Sequence, residues 1–369
     1  MKLVIATPLY PPEIGGPATY VKLLEEGLPG KGIEVSVVKF SDVRHLPKII
    51  RHYAYYRRVR KEARNADAVL ALDPVSVGLP AMKAAQKAKK PFFVKIVGDY
   101  AWEQGQQRFG ITQTLDEFVK TKWVPFRVRM LRRTQTRVAR SAARVIVPSE
   151  YLKGIVETWG IPRENIQVIY NAMNLDAFNK PVAEEHGVVP KAVAALLRPL
   201  IVTAGRLVPW KHMDGVIDAV AGTFGVSLAV VGDGSERAAL MHRADEKLPG
   251  RTVFTGMLSH KDTLATIQSA DVFVLNSSYE GFSHLLIEAL MLGVATVATR
   301  VGGNPEVIDD GNNGIFVPND DTPALTNALA RVLGDEELRA RLQKAAKESA
   351  KRFSTETMLQ ETALALQNV

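Results

Sequence analysis

The sequence predicts two consecutive doubly wound α/β domains. The chain has 369 residues, which is long for a single compact core. Short β-branched runs alternate with helical patterns, as is typical of βαβ units and a parallel sheet. The alternation stops at a stretch with prolines at 181, 190 and 199 and then restarts. Each half is therefore expected to form its own parallel sheet flanked by helices.

The first half carries five predicted strands: "KLVIAT", "EVSVVKF", "ADAVLAL", "PFFVKIVG" and "ARVIVPS". The loop "PLYPPEIGGP" follows the first strand, and a helical pattern runs from Ala18 to Leu28. Gly15 and Gly16 permit close approach of the backbone to a ligand, and Pro17 is suited to the first turn of the helix. The loop lacks the G-x-G-x-x-G pattern of a dinucleotide site, which argues against a nicotinamide oxidoreductase.

The second half repeats this organisation. Its predicted strands are "LIVTAGR", "SLAVVGDG", "TVFTGML", "DVFVLNS", "ATVATR" and "GIFVPN", with a helix near Met213 to Val220. The segment from Ser354 to Val369 has a helical pattern. We expect domains at 1–178 and 199–352, a link at 179–198 and a final helix at 353–369.

The strand-end loops of the second half carry the residues with the most distinctive chemistry, since ligands of open parallel sheets bind at the carboxyl ends of strands. In "YEGFSHLLIE", Glu280 lies in the loop and Glu288 on the following helix, which Ser283 can cap and Gly293 can end. The first helical N–H groups suit a diphosphate, and the carboxylates suit sugar hydroxyls. The alternative is two solvated helix glutamates.

Two cations occupy another strand-end loop, "TAGRLVPWK". Arg206 and Lys211 can neutralise a diphosphate leaving group there, or they form ordinary surface salt bridges. Gly205 precedes Arg206, and Gly232 ends the next strand. Each glycine alone signals only a turn, but both lie after strands, where a ligand would bind.

These motifs, taken in order, resemble the family 4 retaining glycosyltransferases. The resemblance rests on "GRLVPWK", "GDGSERAAL", "SSYEGFSHLLIEALMLGVATVAT", "VGGNPEVI" and "GNNGIFVPNDD", with weaker matches in "LYPPEIGGPATYV" and "VIYNAMNLDAFN". It implies the GT-B architecture, with two Rossmann-like domains facing a cleft and a C-terminal helix crossing back to the first. It also implies hexose transfer from a nucleotide-diphosphate sugar to a hydroxyl acceptor, with retention of anomeric configuration.

The resemblance also implies roles for individual residues. Arg206 and Lys211 would bind the donor diphosphate, Glu280 would lie beside the transferred sugar, and Glu288 would hold the ribose. The backbone of Gly281, Phe282 and Ser283 would approach the sugar and phosphate, and Gly16 would approach the donor from the first domain. Many relatives have a histidine where this chain reads "VGDYAWE". Asp99 is the candidate replacement, and a helix cap is its alternative role.

We expect no metal and no cofactor beyond the donor. Family members need no bound metal, no His/Asp/Glu cluster has convincing metal-ligand spacing, and the chain has no cysteine. UDP, GDP and ADP all stay open as the donor nucleotide. A nucleotide-sugar epimerase of the same architecture is the rival enzyme, although the E-x7-E and R-x4-K pair argues against it.

Charge divides the chain into a basic first half, net +14 over residues 1–175, and an acidic remainder, net −6. Nucleic-acid binding would use such a charge, but no recognised module accompanies it. No secretion signal is expected in "MKLVIATPLYPP", and no run is long enough to cross a bilayer, which suggests a cytoplasmic protein. The basic segments Arg44–Lys61 and Lys120–Arg140 suit either packing on the sheet or contact with anionic lipid, near a lipid-linked acceptor.

Overall fold

The computed structural model describes residues 1–13, 15–172 and 187–368. The chain divides into two compact units, Met1–Ala172 with Thr355–Val369, and Met173–Ser354. Residues 179–186 of the predicted link, and part of "VIYNAMNLDAFN", lie outside the described residues.

The first unit is a six-stranded parallel sheet in the order β2-β1-β3-β4-β5-β6. Its strands are β1 Lys2–Thr7, β2 Glu34–Lys39, β3 Ala68–Ala71, β4 Phe92–Lys95, β5 Arg144–Val147 and β6 Ile166–Val168. Its helices are α1 Gly16–Gly27, α2 Lys48–Ala63, α3 Gly78–Ala88, α4 Tyr100–Arg108, α5 Leu115–Lys120, α6 Phe126–Arg140 and α7 Glu150–Glu157. β3 and β4 are buried along their whole length, as continuous apolar strands of a sheet covered on both faces are.

The second unit is another six-stranded parallel sheet, in the order β12-β11-β10-β7-β8-β9. Its strands are β7 Leu200–Ala204, β8 Ser227–Val231, β9 Thr252–Gly256, β10 Val272–Leu275, β11 Thr296–Thr299 and β12 Ile315–Val317. Its helices are α8 Lys191–Ala194, α9 Met213–Ala221, α10 Arg237–Lys247, α11 His260–Gln268, α12 His284–Leu292, α13 Thr322–Gly334 and α14 Glu336–Ala350.

The last helix, α15 Thr355–Gln367, belongs to the first unit although it follows the second in sequence. Its buried face includes Met358, Leu359 and Leu366, which join Leu24 and Leu28 in the core of the first unit. A Cβ placed on Gly27 would meet Leu359 at 2.1 Å, so the end of α1 and α15 pack closely. The predicted return of the C-terminal helix to the first domain is confirmed.

Helix α2 corrects one expectation. Its buried residues are Tyr55, Val59 and Ala63, whereas Ile49, Ile50 and Tyr53 are 87%, 54% and 61% exposed. The apolar stripe at the start of this basic segment therefore does not pack on the sheet. The helix begins at Lys48, and its buried residues all lie from Tyr55 onward, so its first two turns do not contribute to the core.

Candidate active site

The strand order of the second unit creates a switch point between β7 and β10. These strands are neighbours, and the chain proceeds from β7 to β8 on one side and from β10 to β11 on the other. In such sheets, the loops that leave the two central strands diverge and open a crevice for ligand. The loops here are residues 205–212 and 276–283, which contain Arg206, Lys211 and Glu280.

An ion pair joins these two loops. Lys211 Nζ lies 2.5 Å from Glu280 Oε1, and the two side chains are only 12% and 11% exposed. Ser277 Oγ donates a second hydrogen bond, of 2.7 Å, to the same carboxylate oxygen. The backbone also connects the loops, since the Ser278 amide donates to the Trp210 carbonyl at 2.8 Å. Two residues selected separately from the sequence are thus brought into contact, and Ser277, which the sequence analysis missed, supports them.

The loop after β11 fixes the backbone of Glu280. The Gly303 amide donates to the Glu280 carbonyl at 2.9 Å. Gly302 has a φ of +53°, and a Cβ there would lie 2.0 Å from the same carbonyl oxygen. The left-handed backbone conformation and the lack of room for a Cβ both require glycine at position 302. The "VGGNPEV" turn therefore holds the backbone of the Glu280 loop in place.

Gly205 and Gly232 have a packing role in the structure. A Cβ on Gly232, whose φ is +135°, would lie 1.9 Å from the Gly205 carbonyl oxygen. The Leu207 amide also donates a hydrogen bond of 2.9 Å to the Asp233 carbonyl. The two strand-end turns therefore lie directly against one another. Their proposed contact with a donor stays a prediction.

Helix α12 begins at the same crevice. Ser283 is its N-cap and accepts a hydrogen bond from the Leu286 amide at 3.4 Å, and Gly293 ends it with a φ of +69°. Both predicted caps are confirmed. The first turn contains no acidic residue, so its N–H groups keep their attraction for an anion. Gly281 and Phe282 precede the cap, and the Phe282 ring packs edge-on against Phe353 with centroids 5.6 Å apart.

Glu288 is buried one turn further along α12, with an exposure of 4%. Its Oε1 lies 2.8 Å from Nε2 of His260, the first residue of α11. This hydrogen bond raises the pKa of His260 above its ordinary value and outweighs the opposite effect of burial. Glu288 is therefore not a solvated helix glutamate. His260 was missed because no local pattern connects it with a residue 28 positions away.

Arg206 differs from Lys211 in its surroundings. It is exposed, and its guanidinium carbon lies 5.6 Å from the centroid of the Trp210 ring. Within the described parts of the chain it forms no ion pair, so the surface salt bridge considered as its alternative role is not observed. The cation remains free to meet an anionic ligand.

The candidate residues of the first unit lie at helix starts. Gly15, with a φ of +151°, is the N-cap of α1, Gly16 is its first residue, and Pro17 occupies its first turn as predicted. Ile14, in the same loop, lies outside the described residues. Asp99 caps α4 by accepting the Trp102 amide at 2.9 Å, so its helix-cap role is confirmed. Burial raises the pKa of Asp99. Its contact with a sugar stays a prediction.

The described residues are 1–13, 15–172 and 187–368. Over these ranges, no group of three or more His, Cys, Asp or Glu side chains could hold a metal ion. No helix in the same ranges combines the length and apolar character needed to span a bilayer.

Two family profiles match the chain. Residues 191–349 match the family described as "Glycosyl transferases group 1", and residues 14–177 match "Glycosyltransferase Family 4". Similar proteins include the lipopolysaccharide core biosynthesis glycosyltransferase LpsE of Rhizobium meliloti, 35% identical over 39% of this chain and 42% of that protein. The GDP-mannose-dependent alpha-mannosyltransferase of Mycobacterium tuberculosis is 30% identical over 48% of this chain and 45% of its own length. The chain thus spans less than half the length of these relatives.

Solved structures share the fold over the full chain. Anabaena HepE, in a complex with UDP-glucose, superimposes with a TM-score of 0.78 at 19% identity and covers 100% of both chains. The sucrose-phosphate synthase of Thermosynechococcus elongatus gives 0.77 at 18% identity, over 100% of this chain and 98% of that one.

Two Rossmann-like units, with the helix that follows the second returning to the first, define a protein of the GT-B class. Within that class, the profile matches decide the assignment, since together they cover both halves of the chain. The chain belongs to the family 4 glycosyltransferases, also described as group 1.

Proposed function

We propose that the chain transfers a hexose from a nucleotide-diphosphate sugar to a hydroxyl acceptor, with retention and without a metal ion. The observation that carries the proposal is the buried Lys211–Glu280 ion pair at the switch point of the second sheet. Family membership supports the reaction class. UDP and UDP-glucose occupy HepE, and GDP-mannose is named for the mycobacterial relative, so both nucleotides are suitable donors to test.

Charge at the leaving group is the main electrostatic demand of the reaction. The bond between the anomeric carbon and the diphosphate oxygen breaks, and negative charge grows on that oxygen. Lys211, Arg206 and the N-terminus of α12 would stabilise this charge, which is the role a metal ion has in other transferases. Glu280 would hold Lys211 before the donor binds. Its Oε2 has no hydrogen-bond partner among the described residues and is available to a sugar hydroxyl.

Retention follows if the acceptor attacks the face from which the diphosphate leaves. The acceptor oxygen forms the new bond to the anomeric carbon, and its proton passes to the departing phosphate oxygen. The products are then the glycoside and a nucleoside diphosphate that carries the acceptor's proton. Glu288, buried and fixed by His260, would accept hydrogen bonds from the ribose hydroxyls.

The test uses the purified full chain with UDP-, GDP- and ADP-sugars. A rise in melting temperature identifies the donor, since a ligand bound only by the folded state stabilises it. Lys211→Met and Arg206→Met should each lower turnover by roughly a hundredfold, the effect of losing about 3 kcal/mol of transition-state stabilisation. Lys191→Met is the matched control, because Lys191 is an exposed lysine at the start of α8. Near wild-type turnover in both site variants would refute the assignment, and inversion at the anomeric proton in NMR would refute retention.

We further propose that the first unit attaches peripherally to the cytoplasmic face of a membrane. In doubly wound folds, helices run antiparallel to the strands, so α2 and α6 begin at the carboxyl edge of the sheet. Large apolar side chains are exposed there: Ile49 (87%) and Tyr53 (61%) on α2, and Trp123 (84%) and Phe126 (70%) at the start of α6. Neighbouring cations would meet anionic headgroups, each contributing about 1 kcal/mol.

Co-sedimentation with vesicles tests this attachment. Binding should require anionic lipid, weaken with salt, and fall in the Ile49→Ser/Trp123→Ser variant. Phe224→Ser is the matched control, because Phe224 is a fully exposed aromatic residue of the second unit. Equal recovery in the supernatant with neutral and anionic vesicles would favour a soluble acceptor.

A further inference from the structure

The first unit contains a cavity that none of the sequence motifs indicates. Its volume is about 1070 Å³, and all of its lining residues belong to this unit. Pro8 and Leu9 follow β1, Phe40 follows β2, Val75 and Ser76 follow β3, and Tyr100 follows β4. The cavity therefore lies at the carboxyl edge of the sheet, where ligands of parallel α/β folds bind, and its volume is slightly above the roughly 300–1,000 Å³ typical of small-molecule sites.

The lining is strongly cationic. Arg44, Arg51, Lys83 and Arg108 line it, and none of its lining residues is an aspartate or glutamate. Arg44 pairs with Glu13. The other three cations have no carboxylate partner within the described residues. Burial and the charge of Arg51 lower the pKa of His52. This fifth basic group is therefore neutral at pH 7 and adds no positive charge to the cavity.

Arg51 is the most informative of these cations. It is half-buried, its guanidinium carbon lies 5.7 Å from the centroid of Phe40, and its Nε is buried without a hydrogen-bond partner. A buried donor left without an acceptor is unfavourable, because it has lost its hydrogen bonds to water and gained none in exchange. An anion bound beside Arg51 would accept hydrogen bonds from Nε–H and the other N–H groups of the guanidinium. The buried Nε donor would then be satisfied.

Aromatic side chains also line the cavity, beside the cations and several aliphatic and polar residues. Tyr53 and Tyr56 stack with ring centroids 6.1 Å apart and an angle of 29°, and Tyr100 lies among the same lining residues. Burial raises the pKa of Tyr100 to about 12, so its hydroxyl stays protonated and able to donate. The ligand that fits this lining has an anionic group and an apolar or ring-shaped part beside it.

We propose that this cavity binds the acceptor through a phosphate or diphosphate group that the acceptor carries. A carboxylate would bring one negative charge to three unpaired cations, whereas a phosphate monoester brings nearly two, and guanidinium groups bind phosphate oxygens in a bidentate manner. The inference rests on the proposed transfer reaction, in which the donor diphosphate is held by Arg206 and Lys211 of the second unit. The phosphate can come from a lipid-linked diphosphate or from a soluble sugar phosphate.

The experiment separates the two phosphate sites. Binding of inorganic pyrophosphate is measured by calorimetry on the full chain carrying Arg206→Met, Lys211→Met and Glu280→Gln, which removes the proposed donor contacts without leaving the buried Glu280 carboxylate unpaired. We expect pyrophosphate still to bind. Adding Arg51→Lys, Lys83→Met or Arg108→Met should weaken binding by roughly tenfold or more. Lys83 and Arg108 are exposed, so these changes leave the fold intact. Lys87→Met is the control, because Lys87 is exposed on the same helix and does not line the cavity.

Two further ligands identify the source of the phosphate. Farnesyl diphosphate binding more tightly than pyrophosphate would indicate a lipid-linked acceptor, and tighter binding of glucose 1-phosphate would indicate a soluble one. Absence of pyrophosphate binding in the Arg206→Met/Lys211→Met/Glu280→Gln background, or equal weakening by Lys87→Met and Lys83→Met, would overturn the inference. Neither result would affect the proposed transfer reaction, which depends on turnover of the Lys211 and Arg206 variants.

Discussion

Lys95 gives the folded chain a dependence on pH that one substitution should remove. The residue lies on β4 with 1% of its surface exposed. Its Nζ is 3.5 Å from the Ile169 carbonyl oxygen and 4.0 Å from the centroid of the Tyr20 ring, and no described carboxylate pairs with it. Burial lowers the pKa of Lys95 from 10.5 to about 7, despite the attraction of the ring for the ammonium group.

The size of the effect follows from linkage. Between about pH 7 and pH 10.5, Lys95 carries a proton in the unfolded chain but not in the folded one. The free energy of unfolding therefore rises with pH in this window, by about 1.4 kcal/mol per pH unit. From pH 7.5 to pH 9 the gain is roughly 2 kcal/mol. Below pH 7 the folded state also binds the proton, and the slope disappears.

Lys95→Met should remove this slope, because methionine fills similar space and does not titrate. The variant should be more stable than the wild type at pH 7, and the difference should shrink towards pH 9. Hydrogen exchange of the β4 amides, measured at several pH values and corrected for intrinsic exchange, reports the stability of the first unit. Lys87→Met, on the exposed side of α3, is the control and should keep the wild-type slope. Parallel slopes for wild type and Lys95→Met would refute the reasoning.

Two other predictions concern the candidate active site. Gly302→Ala should lower turnover, since its Cβ would displace the Glu280 carbonyl, and this loss should exceed what its drop in melting temperature explains. Gly311→Ala is the control, because Gly311 has a φ of +75° and a Cβ there would meet no atom within 4 Å. This control has comparable backbone strain without the clash and should keep its turnover. Equal activity losses in the two variants would contradict this reasoning. Glu288→Gln should weaken donor binding in calorimetry and, in NMR titration, lower the pKa of His260 from its raised value. An unchanged His260 titration would show that the 2.8 Å contact does not set its protonation.

The sequence predicts those features of the site that depend on neighbouring residues. Apolar runs and their intervals located the strands, and the strand ends located the loops that carry Arg206, Lys211 and Glu280. Ser283 and Gly293 were recognisable because capping chemistry acts over three or four residues. The same local rule explains Asp99, whose helix-cap role was one of two interpretations and is the one the hydrogen bond to Trp102 supports.

Contacts between distant parts of the chain could not be predicted in this way. Lys211 and Glu280 are 69 residues apart, and each was selected for an expected contact with a ligand, not with the other. Their pairing changes the chemistry of both groups. Removing either partner would leave a charge that is about nine-tenths buried without compensation, which is far costlier than losing a surface ion pair.

A donor diphosphate that draws Lys211 towards itself would leave the Glu280 carboxylate with Ser277 and a sugar hydroxyl as its partners. The double variant Lys211→Met/Glu280→Gln should therefore be more stable than Lys211→Met alone, whereas its turnover should stay as low.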